Sequence, residues 1–295
     1  MSVIERAVER LRLSGGMKAS SRKAGAVATM HLPPGQSAQK GGAAAEPKIF
    51  INRAALREAG YLPESNQDRV FADEYRQIKR PLISTAFGDV GECRGDPRLI
   101  VMASALPGDG KTFTSINLAL SLAQERDTSV VLVDADVAKP HVSRIFGVQS
   151  EPGLLDALAD ESLDVESLLL PTDVRGLTLL PAGKQGELAT ELLASERMAF
   201  VAQRLLDSDP RRLVLFDSSP LLVSSESRAV AGIAGQVLLV VRSGKTPRRA
   251  VLESLSAIGD GKFVSLVLNQ GRRTMLGGYY GYGSYGSYGQ DADGA

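Results

Sequence analysis

Cysteine and histidine are almost absent from this sequence. One cysteine, Cys93, and two histidines, His31 and His141, occur in 295 residues. A single thiol excludes an internal disulfide and any zinc cage built on cysteines. The two histidines lie too far apart in sequence to suggest a histidine-rich metal site. The lack of a disulfide framework suits the cytosol. Charge of one sign is also lacking: Lys and Arg together number 34, as do Asp and Glu, so the overall balance gives no reason to expect a nucleic-acid partner. No apolar run approaches the roughly 20 residues a spanning helix needs. The N-terminal stretch MSVIERAVERLRLSGG has no signal-peptide core. Work at a membrane would therefore depend on a partner.

What is present divides into four parts. Residues 1–47 open with an amphipathic stripe, Val3, Ile4, Ala7, Val8 and Leu11, which is either a surface helix or a docking helix. They continue through a Gly-, Ala-, Ser-, Lys- and Pro-rich stretch with too little apolar surface to offset the entropy of ordering. Residues 48–95 read as a helical docking or oligomerisation segment, with FADEYRQIKRPLISTAF as its helix. Residues 96–272 alternate strand-length apolar runs with helical segments. The runs are LIVMASA (99–105), VVLVDAD (130–136), LTLLPAG (177–183), RLVLFDSSP (212–220), QVLLVVRSG (236–244) and FVSLVLNQ (263–270). Continuous apolar strands predict a mostly parallel sheet buried on both faces, and strands alternating with helices predict a doubly wound α/β fold. Residues 273–295 form a Tyr/Gly-rich, low-complexity tail.

The chemistry falls at strand ends, where such folds bind ligands. ALPGDGKT, Ala105 to Thr112, follows the first strand and opens a helix from Lys111 to about Gln124. It matches the P-loop pattern except that Ala105 stands at the first glycine position. Pro107, Gly108, Asp109, Gly110, Lys111, Thr112 and Phe113 are the expected phosphate-binding stretch. In the P-loop NTPase fold this motif predicts, the backbone N–H groups that follow Pro107 and the helix N-terminus would face phosphate, Lys111 would reach the β- and γ-phosphates, and the Thr112 hydroxyl would sit on Mg²⁺. VVLVDAD ends in Asp134 and Asp136, and RLVLFDSSP carries Asp217. Each carboxylate emerges at the same sheet edge as the loop, where it could hold Mg²⁺ directly or through water. The alternative is helix capping or turn formation. Five of seven tyrosines, Tyr279, Tyr280, Tyr282, Tyr285 and Tyr288, lie in the tail.

In this order, ALPGDGKT, VLVDADVAKP, LVLFDSSP and YYGYGSYGSYG resemble the Walker A, Walker A′ and Walker B motifs and the tyrosine cluster of bacterial tyrosine kinases. The likeness is greatest to the exopolysaccharide-associated tyrosine autokinases of exosortase-type loci. Leu106 stands where partitioning ATPases carry an extra lysine, which favours the kinase branch. Departures include Ala138 at the usual arginine of Walker A′ and Ser219 at a proline of Walker B. In the oligomerisation motif, Asp73, Arg76 and Lys79, followed by Arg80, replace Glu-x-x-Arg-x-x-Arg.

The resemblance implies transfer of the ATP γ-phosphoryl to the five tail tyrosines in control of polysaccharide synthesis and export. Lys111, Asp134, Asp136 and Asp217 would be catalytic. Thr112, Asp136 and Asp217 would hold Mg²⁺, Asp134 would orient or deprotonate the incoming phenol, and Asn269 would lie near the base or simply form a strand-end turn. The resemblance further implies a homo-oligomer, a membrane-anchored activator of the polysaccharide co-polymerase type, and a cytoplasmic protein peripheral to the inner membrane. A cognate tyrosine phosphatase would fit the same setting. An ATPase switch without kinase activity and a nucleotide-stabilised scaffold are the rival functions.

Overall fold

The computed structural model describes residues 48–271, apart from 64, 66, 67, 90 and 187. The amphipathic stripe at 3–12 and the five tail tyrosines lie outside the described residues. Seven strands form one sheet: β1 (Asp96–Ser104), β2 (Ser129–Ala135), β3 (Leu170–Pro171), β4 (Leu177–Leu180), β5 (Arg212–Ser218), β6 (Ala234–Arg242) and β7 (Phe263–Asn269). Their order is β3-β4-β2-β5-β1-β6-β7. All pairings are parallel except the short β3 on β4. The sequence runs thus mark six of the seven strands, while β3 is too short to carry a periodic signal.

Alternation along β1 shows why the sheet must be covered on both sides. Leu99, Val101 and Ala103 enter one core, and Ile100 and Met102 enter the other. The first core is closed by α5 (Leu154–Ala159), α6 (Ala189–Leu193), α7 (Glu196–Asp207), α8 (Ser225–Ile233) and α9 (Arg248–Ile258). The second is closed by α1 (Arg53–Glu58), α2 (Asp68–Phe87), α3 (Lys111–Leu122) and α4 (His141–Ile145). Burying a large aliphatic side chain in such a layer stabilises by about 1.5–3 kcal/mol. The edge strand β7 departs from the expected two-sided burial, with Leu266 and Leu268 exposed, because its outer side has no strand neighbour.

Residues 48–95 are joined to this core rather than set apart from it. Ile49 bridges to Thr172, and Phe71, Tyr75, Leu82 and Ala86 of α2 pack on the sheet and on α3. The expectation that Lys79 belongs to a charged oligomerisation face is corrected here. Lys79 is buried, its Nζ donates to the Ser121 carbonyl at 2.8 Å, and it pairs with Glu125 at 2.8 Å. A cation there complements the negative end of the α3 dipole and adds a strong donor to a last-turn carbonyl that otherwise accepts only from the helix-end backbone. Of the four expected positions only Asp73, Arg76 and Arg80 remain exposed, and Asp73 pairs with Arg76.

Candidate nucleotide and phosphoryl-transfer site

The loop between β1 and α3 is shaped by two glycines. Gly108 and Gly110 have φ of 82° and 96°, backbone that L side chains rarely adopt. A Cβ on Gly110 would also collide with Asn269 Nδ2. Ala105, the departure from the motif, is fully buried and does not adopt positive φ, so its methyl costs nothing there. Gly110 caps α3 without a side-chain hydrogen bond. The first-turn N–H groups of this helix are thus free of a side-chain cap, the arrangement that favours phosphate.

Pro107 and Gly108 form the exposed tip of the loop, whereas the Asp109 side chain turns inward. Its Oδ2 accepts from the Leu106 N–H at 3.1 Å, and its Oδ1 accepts from the Thr246 hydroxyl at 2.7 Å. Burial raises its pKa, which the Thr246 and Leu106 hydrogen bonds partly offset. Asp109 therefore shapes the loop. Phe113 does the same from below: its ring lies in the core, 6.0 Å from that of Phe71 in an edge-on contact, so its side chain is not part of the loop surface. Asn269, fully buried, donates from Nδ2 to the Asp109 carbonyl at 2.8 Å, so its amide braces the loop.

The carboxylates converge on the loop because β5 lies between β1 and β2. Register pairs Asp134 with Asp217 and Met102 with Asp217. Asp217 is the hub. Its Oδ1 accepts from Lys111 Nζ at 3.0 Å and from the Ser115 hydroxyl at 2.8 Å, and its Oδ2 accepts from the Thr112 hydroxyl at 2.7 Å. Asp136 is buried at the end of β2, and its Oδ1 accepts from the Lys139 N–H at 3.2 Å. Desolvation raises its pKa, and Lys111 counters that rise. Asp134 is deeper, with no exposed surface. Its Oδ2 accepts from both the N–H and the hydroxyl of Ser143 at 2.7 Å, while its Oδ1 has no partner among the described residues. Burial, followed by the neighbouring Asp217 charge, pushes its pKa up to about 7.

These groups fit Mg²⁺ with a triphosphate. The available oxygens are those of Thr112, Asp136 and Asp217, and among the described residues no group of three or more His, Cys, Asp or Glu could hold a metal alone. Mg²⁺ characteristically takes one or two carboxylates and completes its shell with substrate phosphates and water. The structure thus brings Lys111, Thr112, Asp134, Asp136 and Asp217 together. Sequence reasoning missed Ser115 on Asp217, Ser143 on Asp134, Thr246 on Asp109, and Arg242, whose Nη1 donates to the Gly108 carbonyl at 3.4 Å. The serine one turn after Lys111 was a readable signal for Ser115; the others come from distant segments and left none.

Strand, phosphate loop, a helix without a side-chain cap and acidic neighbouring strand ends define a P-loop nucleotide-binding protein. Residues 97–185 match the ParA family, under the description NUBPL iron-transfer P-loop NTPase. The chain is 26% identical over 234 residues to tyrosine-protein kinase YwqD of Bacillus subtilis (strain 168), covering 78% of this chain and 94% of that protein. It is 29% identical over 214 residues to succinoglycan biosynthesis transport protein ExoP of Rhizobium meliloti (strain 1021), covering 71% of this chain. The chain spans only 26% of the length of ExoP. The kinase domain of Escherichia coli tyrosine kinase ETK superposes with a TM-score of 0.60 at 25% identity, over 74% of this chain and 80% of that one. Over most of its described length the chain is thus similar to proteins named tyrosine-protein kinase, on the fold of a P-loop NTPase.

Proposed function

We propose that this protein is an ATP-dependent tyrosine autokinase of exopolysaccharide biosynthesis and export that phosphorylates its own C-terminal tyrosine cluster. The observation that carries the reading is the convergence of Lys111, Thr112 and Asp217 on one phosphate loop, beside Asp134 and Asp136. Mg²⁺ would supply charge neutralisation of the triphosphate there. Thr112, Asp136 and Asp217 would hold the Mg²⁺, and Lys111 would offset the negative charge of the transferring group. Transfer breaks the bond between the γ-phosphorus and the β–γ bridging oxygen, forms one to the tyrosine oxygen, and releases the phenol proton. Asp134, with its raised pKa, is a better acceptor for that proton than an ordinary aspartate. Acceptor choice is supported by exclusion. Tyr75 is 1% exposed and Tyr61 is half-buried, with its pKa raised mainly by burial. The remaining five tyrosines are those of the tail.

The test is incubation of the purified full chain with labelled ATP and Mg²⁺, alongside a variant with Tyr279, Tyr280, Tyr282, Tyr285 and Tyr288 changed to Phe. Label on tyrosine in the wild type, reduced at least tenfold in the variant, is expected. Equal labelling of both would move the acceptor elsewhere. Free phosphate alone would favour an ATPase switch, and unchanged bound ATP a scaffold.

No helix among the described residues is long and apolar enough to cross a membrane. Membrane recruitment is proposed to come from a separate, membrane-anchored activator of the co-polymerase type, as the polysaccharide-export relatives suggest. Co-expression with that membrane protein should move the kinase into the membrane fraction and raise its tyrosine phosphorylation. An unchanged distribution and unchanged phosphorylation would reject the partnership.

A further inference from the structure

An open pocket of about 410 Å³ lies beside the site carboxylates. Val137 and Ala138, which follow Asp136, form one wall. Gln185 and Gly186, with Ala189 of α6, form a second, and Glu226 of α8 forms the third. Small side chains keep the pocket open, and Glu226 is the only charged group among the described residues that line it. Its place is fixed from two directions. The Thr190 hydroxyl donates to Glu226 Oε1 at 2.7 Å. Ser224, the N-cap of α8, shares a hydrogen bond between hydroxyls with Ser219 at 2.8 Å, and Ser219 lies just beyond Asp217. Hydrogen bonds, first from Thr190 and then from Ser224, hold the Glu226 pKa below the usual glutamate value, so the group is ionised at neutral pH. A fixed, ionised carboxylate on a pocket with no cation of its own suits a positively charged ligand group.

The position of the pocket identifies the occupant. The phosphate loop follows β1, Asp217 stands on β5, Asp134 and Asp136 stand at the end of β2, and β4 lies next beyond. Phosphoryl transfer is in line, so the acceptor enters opposite the leaving oxygen. A phosphoryl group held by the loop and facing those carboxylates is met from the side of β2 and β4, where the pocket lies. Residues 272–295, which carry the proposed acceptor tyrosines, contain only two cations, Arg272 and Arg273, followed by Met275 and Leu276. Exposed apolar side chains flank the pocket to match: Leu188 precedes Ala189, and Val223 precedes the N-cap of α8. We propose that this pocket is the recognition subsite for the acceptor segment, with Glu226 pairing to the Arg272–Arg273 guanidinium groups while a tail tyrosine reaches Asp134. Guanidinium and carboxylate match in plane and in charge. The chain from Arg273 to Tyr279 spans at most about 20 Å and bends at Gly277 and Gly278, so one segment fills both places. Glu226 is then a specificity-determining residue. The inference rests on the autokinase reading above and deepens it by naming what marks the acceptor.

The test compares single-turnover rates of tail labelling in the full chain, at equal protein concentration with saturating labelled ATP and Mg²⁺. Glu226→Gln keeps an acceptor for Thr190 and removes the charge. It is expected to slow labelling about tenfold, the loss of roughly one charge-assisted hydrogen bond, with MgATP affinity within about twofold of the wild type. Arg272→Gln with Arg273→Gln should slow labelling equally. Adding Glu226→Gln to that pair should cost nothing further, because the partners act as a unit. Glu226→Arg should be slow with the natural tail and recover about fivefold or more when combined with Arg272→Glu and Arg273→Glu. A purely structural role for Glu226 would give no such recovery. Losses that multiply in the combined variant, charge reversal without recovery in folded protein, or a wild-type rate in either parent variant would overturn the proposal. If Glu226→Gln does not fold, Ala138→Leu, which fills the pocket from an exposed position, is read against the arginine pair with the same expectations. Wild type that holds or hydrolyses ATP without labelling any tyrosine would remove the autokinase reading itself, an outcome distinct from efficient labelling that ignores Glu226.

Discussion

Lys111→Ala is expected to reduce phosphoryl transfer by about 10³-fold or more, because electrostatic stabilisation is most of what a protein contributes to this reaction. The same substitution should also lower the melting temperature. Lys111 and Asp217 form an ion pair at 3.0 Å in which the side chains are 7% and 0% exposed. Without the lysine, Asp217 keeps, among the described residues, the Thr112 and Ser115 hydroxyls. Removing one partner of a buried pair typically costs about 3–5 kcal/mol, since the remaining charge is uncompensated. A variant combining Lys111→Ala with Asp217→Asn removes both charges. It should recover much of the lost melting temperature while transferring no phosphoryl group. Labelled-ATP transfer at saturating nucleotide, read beside thermal melts of the two variants, separates the two effects. Wild-type turnover in a folded Lys111→Ala protein would overturn the assignment of the loop. A double variant melting below the single one would overturn the account of the buried pair.

The sequence made some of this site readable and concealed the rest for a physical reason. A buried parallel strand is a short apolar run, and a functional carboxylate appears as a charge at its carboxyl end. Asp134, Asp136 and Asp217 stand out for that reason, and the glycines around Lys111 mark backbone that must turn sharply. Such signals are local. The bracing of the loop is not: Asp109 meets Thr246 across 137 residues of chain and Asn269 across 160. Nothing near Thr246 shows that the fold will bring it to a phosphate loop. Phe113 shows the opposite limit. It falls in the expected phosphate-binding stretch, yet its side chain serves the core because α3 turns that face toward Phe71. Lys79 was legible as a charge on a helix, but not as a charge facing inward to the end of α3.

Asp134→Asn should stabilise the nucleotide-free protein at pH 8 while impairing catalysis. Asp134 has no exposed surface, lies beside Asp217 across β2 and β5, and keeps one oxygen without a partner among the described residues. Its pKa rises from 3.8 to about 7 in the fold. A carboxyl group with a raised folded-state pKa favours the folded state least when both states must ionise. Its penalty is absent below the unfolded value, grows between about pH 4 and pH 7, and is complete above the folded value. Asparagine does not titrate, and its amide oxygen can still accept from Ser143. The variant should therefore exceed the wild type by roughly 2–4 kcal/mol at pH 8, with the difference more than halved at pH 5. Phosphoryl transfer should fall at least about 10²-fold if Asp134 receives or orients the phenol proton. Affinity for MgATP should stay within about threefold, since Thr112, Asp136 and Asp217 remain to meet the metal. Thermal melts at the two pH values, with transfer rates and nucleotide binding measured on the same protein, check each part. A variant less stable than the wild type at pH 8 would contradict the burial argument. Loss of MgATP binding as severe as in Asp217→Asn would place Asp134 among the metal-holding groups.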